Sequence, residues 1–366
     1  MKNKITTVGV AALVLIWLAL TGFAWFGESK EVSVSERRKL DQWPGISVET
    51  LLDGTFMEDF EDYTLDQFPL RDTFRQVKSL FHYNVMQQMD NNDIYIVDGV
   101  AAKLLYPLDE GRLNLNLKVF ETLYRNYLNR GKCNVYVAVV PDKSYYLAEE
   151  NGYLALDYDA MFAAVKQKMP WATHIDLTGT LDISDYYRTD THWRQEEILP
   201  VAQKLLETMG MPQLKEETFT KVPVDREFYG VYYGHAALPM DPEQMYLMQS
   251  EILQDCKVFD FETNSYTDVY NMEKIDAWDP YDIFLSGARA LLRIENPNAT
   301  TDRELIVFRD SFGSSLSPLL VQDYATVTVV DLRYVSSQAL EQYIKFNGQD
   351  ILFLYNTQVL NSTPLR

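Results

Sequence analysis

The stretch ELIVFRDSFGSS, Glu304 to Ser315, decides the fold. Four consecutive apolar residues, Leu305 to Phe308, are too few for a buried helix but fit a strand covered on both faces. Asp310 and Ser311 then precede a glycine and two serines that read as the start of a helix from Gly313. Strand, tight turn and helix in that order form one half of a βα unit, and the same order recurs on either side.

Downstream, the strand TVTVVDL leads to a helix from about Ser336 to Phe346 and then to the strand ILFLYN. Upstream, a helix from about Gly111 to Arg130 precedes the strand NVYVAVV (134 to 140), and a helix near Ala160 to Gln167 precedes ATHIDL (172 to 177). A helix from about Gln195 to Met209 follows, with apolar residues Ile198, Leu199, Ala202, Leu205 and Leu206 on one face. Five buried parallel strands with crossover helices predict an α/β fold in three layers, helices on both faces of a parallel sheet. The region from about 210 to 299, irregular and rich in Tyr, Met and acids, reads as an insertion.

Ahead of this domain, Lys2 and Lys4 precede an apolar run from about Ile5 to Phe26. At ~1.5 Å per residue such a run crosses a ~30 Å hydrocarbon core. Trp25 and Phe26 close it as interfacial aromatics do, so residues 1–27 predict an uncleaved membrane anchor, with the lysines cytoplasmic and the rest outside. Residues 28–45 read as a polar linker and 46–366 as the extracytoplasmic domain. Apolar spacing on both sides of Phe68-Pro69 predicts two helices broken at the proline, and Asp98-Gly99 predicts a hairpin turn.

With 33 basic and 53 acidic side chains the net charge is -20, which repels nucleic-acid phosphates. The two cysteines, Cys133 and Cys256, allow either one disulfide or two free thiols, and are too few for a thiolate zinc site. No metal or other cofactor is expected.

Ligands of open parallel sheets collect at the carboxyl ends of the strands. Ser311 stands there, beside the N–H groups of a helix start, where a nucleophile and an oxyanion site both fit. The same Asp-Ser pair also fits a plain helix cap. A serine hydroxyl needs a base, and RTDTHWRQEE (188 to 197) offers His192 with Asp190 two residues ahead to orient it. Asp190 could equally cap the next helix. His82 in a helical stretch, His174 inside a strand and His235 without an adjacent acid are less suited. Gly287 in a turn is a candidate second oxyanion donor or an ordinary turn glycine, and Arg333, Tyr334 and Asn356 follow neighbouring strands as candidate oxyanion or substrate contacts.

Asp190-Thr191-His192-Trp193 followed by Asp310-Ser311-Phe312 resembles the SGNH-like hydrolase superfamily, in the branch that contains the alginate O-acetylation proteins and the DHHW-protein family. DQFPLRD (66 to 72), VVPDKSYY (139 to 146), DIFLSG (282 to 287) and VVDLRY (329 to 334) extend the likeness over most of the chain after the apolar run. Thr191 stands where the DHHW pattern has a second His, and Arg309 where ordinary SGNH esterases have Gly before Asp-Ser. The resemblance implies Ser311 as nucleophile, His192 as base and Asp190 as its partner. It further implies O-acetyl transfer to a cell-envelope or exported polysaccharide, a bacterial cell-membrane location and a multispanning membrane O-acyltransferase as partner. An esterase of the same chemistry and a non-catalytic glycan-binding protein are the competing expectations.

Overall fold

All five runs expected as parallel strands lie in one eight-stranded sheet of the computed structural model, which describes residues 2–366. Its strands are β1 (Asn134–Val140), β2 (Thr173–Ile175), β3 (Lys257–Asp260), β4 (Ser265–Thr267), β5 (Leu291–Glu295), β6 (Glu304–Arg309), β7 (Thr326–Val330) and β8 (Asp350–Asn356). Across the sheet they run β4-β3-β5-β7-β6-β8-β1-β2. From β7 to β2 every pairing is parallel, and β5, β3 and β4 extend the sheet in antiparallel register.

The period of two along β6 sorts its side chains between two cores. Leu305 and Val307 join Leu352 and Leu354 of β8 under α3 (Leu199–Thr208) and α4 (Phe312–Leu320), which contribute Ala202, Leu205, Leu316 and Leu319. Ile306 and Phe308 join Ile351 and Phe353 under α1 (Glu110–Leu123) and α2 (Tyr158–Lys168), which contribute Leu117, Phe120, Met161 and Val165. Each fully buried aliphatic side chain of this kind stabilises the fold by about 1.5–3 kcal/mol relative to exposure. The result is the expected three-layer arrangement, with both faces of the parallel strands covered.

Three expectations shift. The stretch from 210 to 299 supplies β3, β4 and β5 to the sheet, because Leu291, Leu292 and Ile294 pair with β7 and are buried there. It also carries a ribbon of Thr220–Phe228 against Glu243–Gln249. The helix after Trp193 begins only at Leu199, behind a 3-10 turn at Gln195–Glu197, with Pro200 in the first turn where its missing N–H costs nothing. Between Ser336 and Phe346 only a 3-10 segment, Ser337–Gln342, forms.

The chain divides into two units, Met1–Asn92 with Tyr233–Met240, and Asp93–Tyr232 with Asp241–Arg366. In the first, an apolar helix, Lys2–Phe26, is long enough over Thr6–Phe26 to cross a membrane. Helices Thr55–Asp66 and Arg71–Asn84 stand on either side of Pro69 as predicted. The stretch expected as a linker forms a small ribbon, Val32–Ser33 with Arg38–Lys39, tied down where Arg38 Nη1 and the Asp41 N–H donate to the Asp66 carboxylate (2.7 and 2.9 Å). In the second unit, Asp98 and Gly99 take positive φ (49° and 78°) and turn the hairpin Ile94–Val97 with Val100–Lys103. Cys133 and Cys256 are unbonded thiols.

Candidate active site

β6 ends at Arg309, and the turn Asp310-Ser311 delivers the chain into α4. The fully buried Asp310 carboxylate fixes this turn: Oδ1 accepts the Phe312 N–H (3.0 Å) and Oδ2 accepts the Asn356 N–H (2.6 Å) from the end of β8. Burial raises its pKa, and Arg333 and the two N–H groups oppose that rise. Ser311 therefore has no capping work to do, and its side chain caps nothing. Its Oγ lies 2.7 Å from His192 Nε2 instead.

His192 comes from a tight loop whose flanks are clipped together by a Tyr186–Trp193 bridge and by the Tyr187 N–H donating to the His192 carbonyl (3.0 Å). Asp190 Oδ1 accepts from His192 Nδ1 at 2.6 Å and from the His192 N–H at 3.0 Å, and Oδ2 accepts the Val231 N–H at 2.8 Å. A carboxylate takes the proton on Nδ1 and leaves Nε2 as the acceptor for the Ser311 hydroxyl. Asp190, His192 and Ser311 thus form a continuous relay across 119 residues of sequence between the last two.

Two aromatic rings pack against the imidazole. The Tyr281 ring stacks on it at 3.9 Å and 7°, and Phe312 packs obliquely at 5.1 Å. Tyr281 is in turn anchored through its hydroxyl, which donates to Ser315 Oγ (2.7 Å), the same oxygen that accepts Trp193 Nε1–H (2.9 Å). Ser315 sits one helical turn beyond Ser311, so the helix that presents the hydroxyl also fixes the ring that supports the base.

Backbone of the Asp190 loop is gripped from three directions. Glu243 accepts the Arg188 and Thr189 N–H groups (2.7 and 2.8 Å) and the Thr189 hydroxyl. The Tyr232 N–H donates to the Thr189 carbonyl at 3.0 Å. Lys143, wholly buried, donates through Nζ to the carbonyls of Tyr187 (2.9 Å) and Arg188 (3.2 Å). Its ammonium also lies 5.0 Å from the centre of the Tyr232 ring. Burial lowers the Lys143 pKa to about 7, against the pull of Asp190, Glu243 and Asp142.

Between about pH 7 and the ordinary lysine value of 10.5, the unfolded chain carries a proton that the native state does not, so this residue makes stability rise with pH in that window. Lys143→Met is expected to flatten that rise. Melting temperatures of both proteins from pH 7 to 10 measure it, and parallel curves would contradict the assignment.

Gly230 makes the loop possible by proximity. A Cβ there would stand 2.2 Å from the Thr189 carbonyl oxygen and 2.3 Å from Asp190 Cα, so backbone would have to move. Gly230→Ala is expected to cost about 1–3 kcal/mol of stability and, by displacing Asp190 by a fraction of an ångström or more, about 100-fold in turnover. Melting and acyl-ester kinetics on the same sample check it; a variant with unchanged rates would show that the loop yields elsewhere.

Four weaker sequence candidates occupy other positions. The Gly287 N–H donates to the Phe284 carbonyl (3.1 Å) in a turn that needs its φ of 78°, and Asp282 fills the space beside its Cα. Asn356 is buried, donates through Nδ2 to the Val140 carbonyl (3.1 Å) and caps the next helix by accepting the Gln358 N–H (2.9 Å). The Gly287 N–H is thus committed to backbone, and Asn356 spends Oδ1 and one Nδ2 hydrogen on backbone. Arg333 grips Asp331 with Nε and Nη2 (2.9 and 2.6 Å) and stands over the ring of Tyr334, which is half exposed. Sequence reasoning missed Tyr281, Ser315, Gly230, Glu243 and the role of Lys143; only Lys143, inside VVPDKSYY, carried a signal.

The fold has known counterparts. A DHHW family protein from Eubacterium siraeum is 20% identical, with 75% of this chain and 93% of that one aligned at a TM-score of 0.60. PatB1 of Bacillus cereus, determined with a sulfonyl adduct, is 17% identical over 74% of this chain and 96% of its own, TM-score 0.60. The O-acetyltransferase domain of Pseudomonas putida AlgJ aligns more distantly, at 14% identity, 74% and 93% coverage and TM-score 0.45. No curated protein matches the sequence. Residues 180–330, which contain Asp190, His192 and Ser311, match the family described as DHHW protein.

Proposed function

We propose that the protein is a membrane-anchored, extracytoplasmic O-acetyltransferase that modifies a cell-envelope or exported polysaccharide through an acyl-Ser311 intermediate. The observation that carries the reading is the relay itself, Ser311 Oγ to His192 Nε2 at 2.7 Å and His192 Nδ1 to Asp190 at 2.6 Å.

In this reading Ser311 Oγ attacks the acetyl carbonyl of the donor while His192 Nε2 takes the hydroxyl proton. The tetrahedral oxyanion collapses, the donor oxygen leaves with the proton from His192, and the acetyl group remains on Ser311. A sugar hydroxyl then enters, gives its proton to His192 and attacks the acyl-serine, and collapse of the second oxyanion returns the proton to Ser311. Asp190 stabilises the imidazolium formed in each half. The Phe312 N–H already donates to the Asp310 carboxylate and the Gly313 N–H to the Asp310 carbonyl, so neither is assigned to the oxyanion. The Ser311 N–H is the donor we assign. Arg333 and Tyr334, beyond the carboxyl end of β7, are the side chains assigned to substrate contact.

The apolar helix over Thr6–Phe26 serves as the anchor, with Lys2 and Lys4 cytoplasmic. The resemblance adds a multispanning O-acyltransferase as the acetyl source, since cytosolic acetyl donors do not reach the outer face. Water in place of the sugar hydroxyl would make the same site an esterase. Full-length protein given an activated acetyl ester and candidate acceptor glycans separates the two: transfer predicts acetylated sugar in excess of free acetate, whereas acetate alone, unaffected by any acceptor, would favour the esterase. A protein that binds glycans and turns over neither ester would be a scaffold.

A further inference from the structure

Helix Arg71–Asn84 in the first unit is amphipathic the wrong way round for a helix in water. Its apolar stripe, Leu70, Phe74, Val77, Phe81 and Val85, repeats at intervals of three and four residues, and these side chains are 68, 49, 59, 50 and 65% exposed. The opposite, polar face is the one that packs. Arg75 Nη2 donates to the Gly234 carbonyl (2.8 Å) and pairs with Glu36 (3.3 Å), and the buried Ser79 Oγ donates to the Ala236 carbonyl (2.8 Å).

The stripe continues the surface of the apolar N-terminal helix. The Phe74 ring lies 5.6 Å from Phe68, whose ring lies 6.0 Å from that of Trp17. The preceding helix is fastened to the end of the same apolar run: Tyr63 Oη donates to the Ala24 carbonyl (3.1 Å), Trp25 Nε1 donates to Thr64 Oγ1 (3.3 Å), and Trp25 packs on Phe60 at 5.5 Å. On its own outer face that preceding helix shows the exposed acids Glu58, Asp59, Glu61 and Asp62. The first helix of the pair shows these carboxylates together with exposed Met57 and Leu65 and is fastened at Ala24 and Trp25, near the end of the apolar run, whereas the second presents the apolar stripe and reaches the run through Phe68 at Trp17.

From this we infer that the stripe Leu70–Phe74–Val77–Phe81–Val85 is a second membrane contact, lying in the interface of the bilayer that the N-terminal helix enters, with lipid acyl chains as its occupant. The inference rests on reading that helix as an uncleaved anchor. Lys78, at the edge of the stripe and exposed, has the long stem that lets an ammonium reach the headgroups while the stripe is immersed. Held at two places, the first unit has a fixed orientation at the membrane rather than a tether about which it swings.

Full-length protein in phosphatidylcholine/phosphatidylglycerol vesicles tests this, on a background with Cys133→Ser and Cys256→Ser. A fluorophore is placed by Leu13→Cys, Asp59→Cys, Phe74→Cys, Val77→Cys or Phe81→Cys and is quenched by doxyl lipid or by aqueous iodide. The expected result is lipid quenching at 74, 77 and 81 at least threefold stronger than at 59, alongside strong lipid quenching at 13. Lipid quenching at 13 with iodide quenching at 74, 77 and 81 would overturn the second contact while the anchor stands. Protection of the stripe from both quenchers would overturn it in favour of a protein occupant. Loss of lipid quenching at 13, with release of the chain from vesicles, would instead defeat the anchor reading beneath it.

Discussion

Ser311→Ala is expected to reduce turnover of an activated acetyl ester by about 10⁴-fold or more, the loss typical of removing the nucleophile from a serine–histidine–carboxylate relay. Stability should hardly change. The hydroxyl caps no helix, and the turn is held by Asp310 through the Phe312 and Asn356 N–H groups. What disappears is one hydrogen bond to His192, worth about 1 kcal/mol. A variant that melts as the wild type does and is inactive separates chemistry from folding; one that retains activity within tenfold would remove Ser311 from the reaction.

Asp190→Asn is the second large effect. Three donors converge on this carboxylate: His192 Nδ1, the His192 N–H and the Val231 N–H. An amide offers one acceptor oxygen, so its NH₂ must face either Val231 or the imidazole. Facing Val231, it sets donor against donor in a buried site at about 1–3 kcal/mol. Facing His192, it moves the ring proton to Nε2 and leaves no acceptor for the serine. A loss of about 10³–10⁴-fold in turnover is expected, with a lower melting temperature. In the Ser311→Ala background the substitution should cost almost no further activity, because the two residues act as one unit. Multiplied losses in the double variant would mean that Asp190 acts independently of the serine.

The sequence was informative where physics is local. Apolar runs of strand length gave the parallel order from β7 to β2, and a serine just past a strand, with Asp190 two residues before a histidine, gave the relay. β5 was hidden because Arg293 and Glu295 break its apolar run, and only its pairing with β7 makes Leu291, Leu292 and Ile294 a buried strand. Tyr281 was hidden for a different reason. Tyrosines are abundant in this chain, and nothing near residue 281 tells that its ring stacks on an imidazole 89 positions earlier. Gly287 and Asn356 show that position alone does not decide a role. Both stand at strand or turn ends where ligand contacts collect, and the fold uses both for its own backbone hydrogen bonds.

The support around His192 also explains why the loop tolerates a D-x-H spacing. With Asp190 only two residues away, its carboxylate accepts both the ring N–H and the main-chain N–H of the same histidine, so the loop must be tight. Gly230, Glu243 and Lys143 come from three separate segments to hold it so.

The measurement that bears most directly on the acyl-serine account is intact mass of full-length wild type and Ser311→Ala, quenched at short times after mixing with an activated acetyl ester. The wild type is expected to carry one acetyl group, mapping to Ser311 by peptide analysis, absent from the variant and discharged when an acceptor is added. An acetyl group that forms equally on the variant, or that maps to another residue, would contradict it.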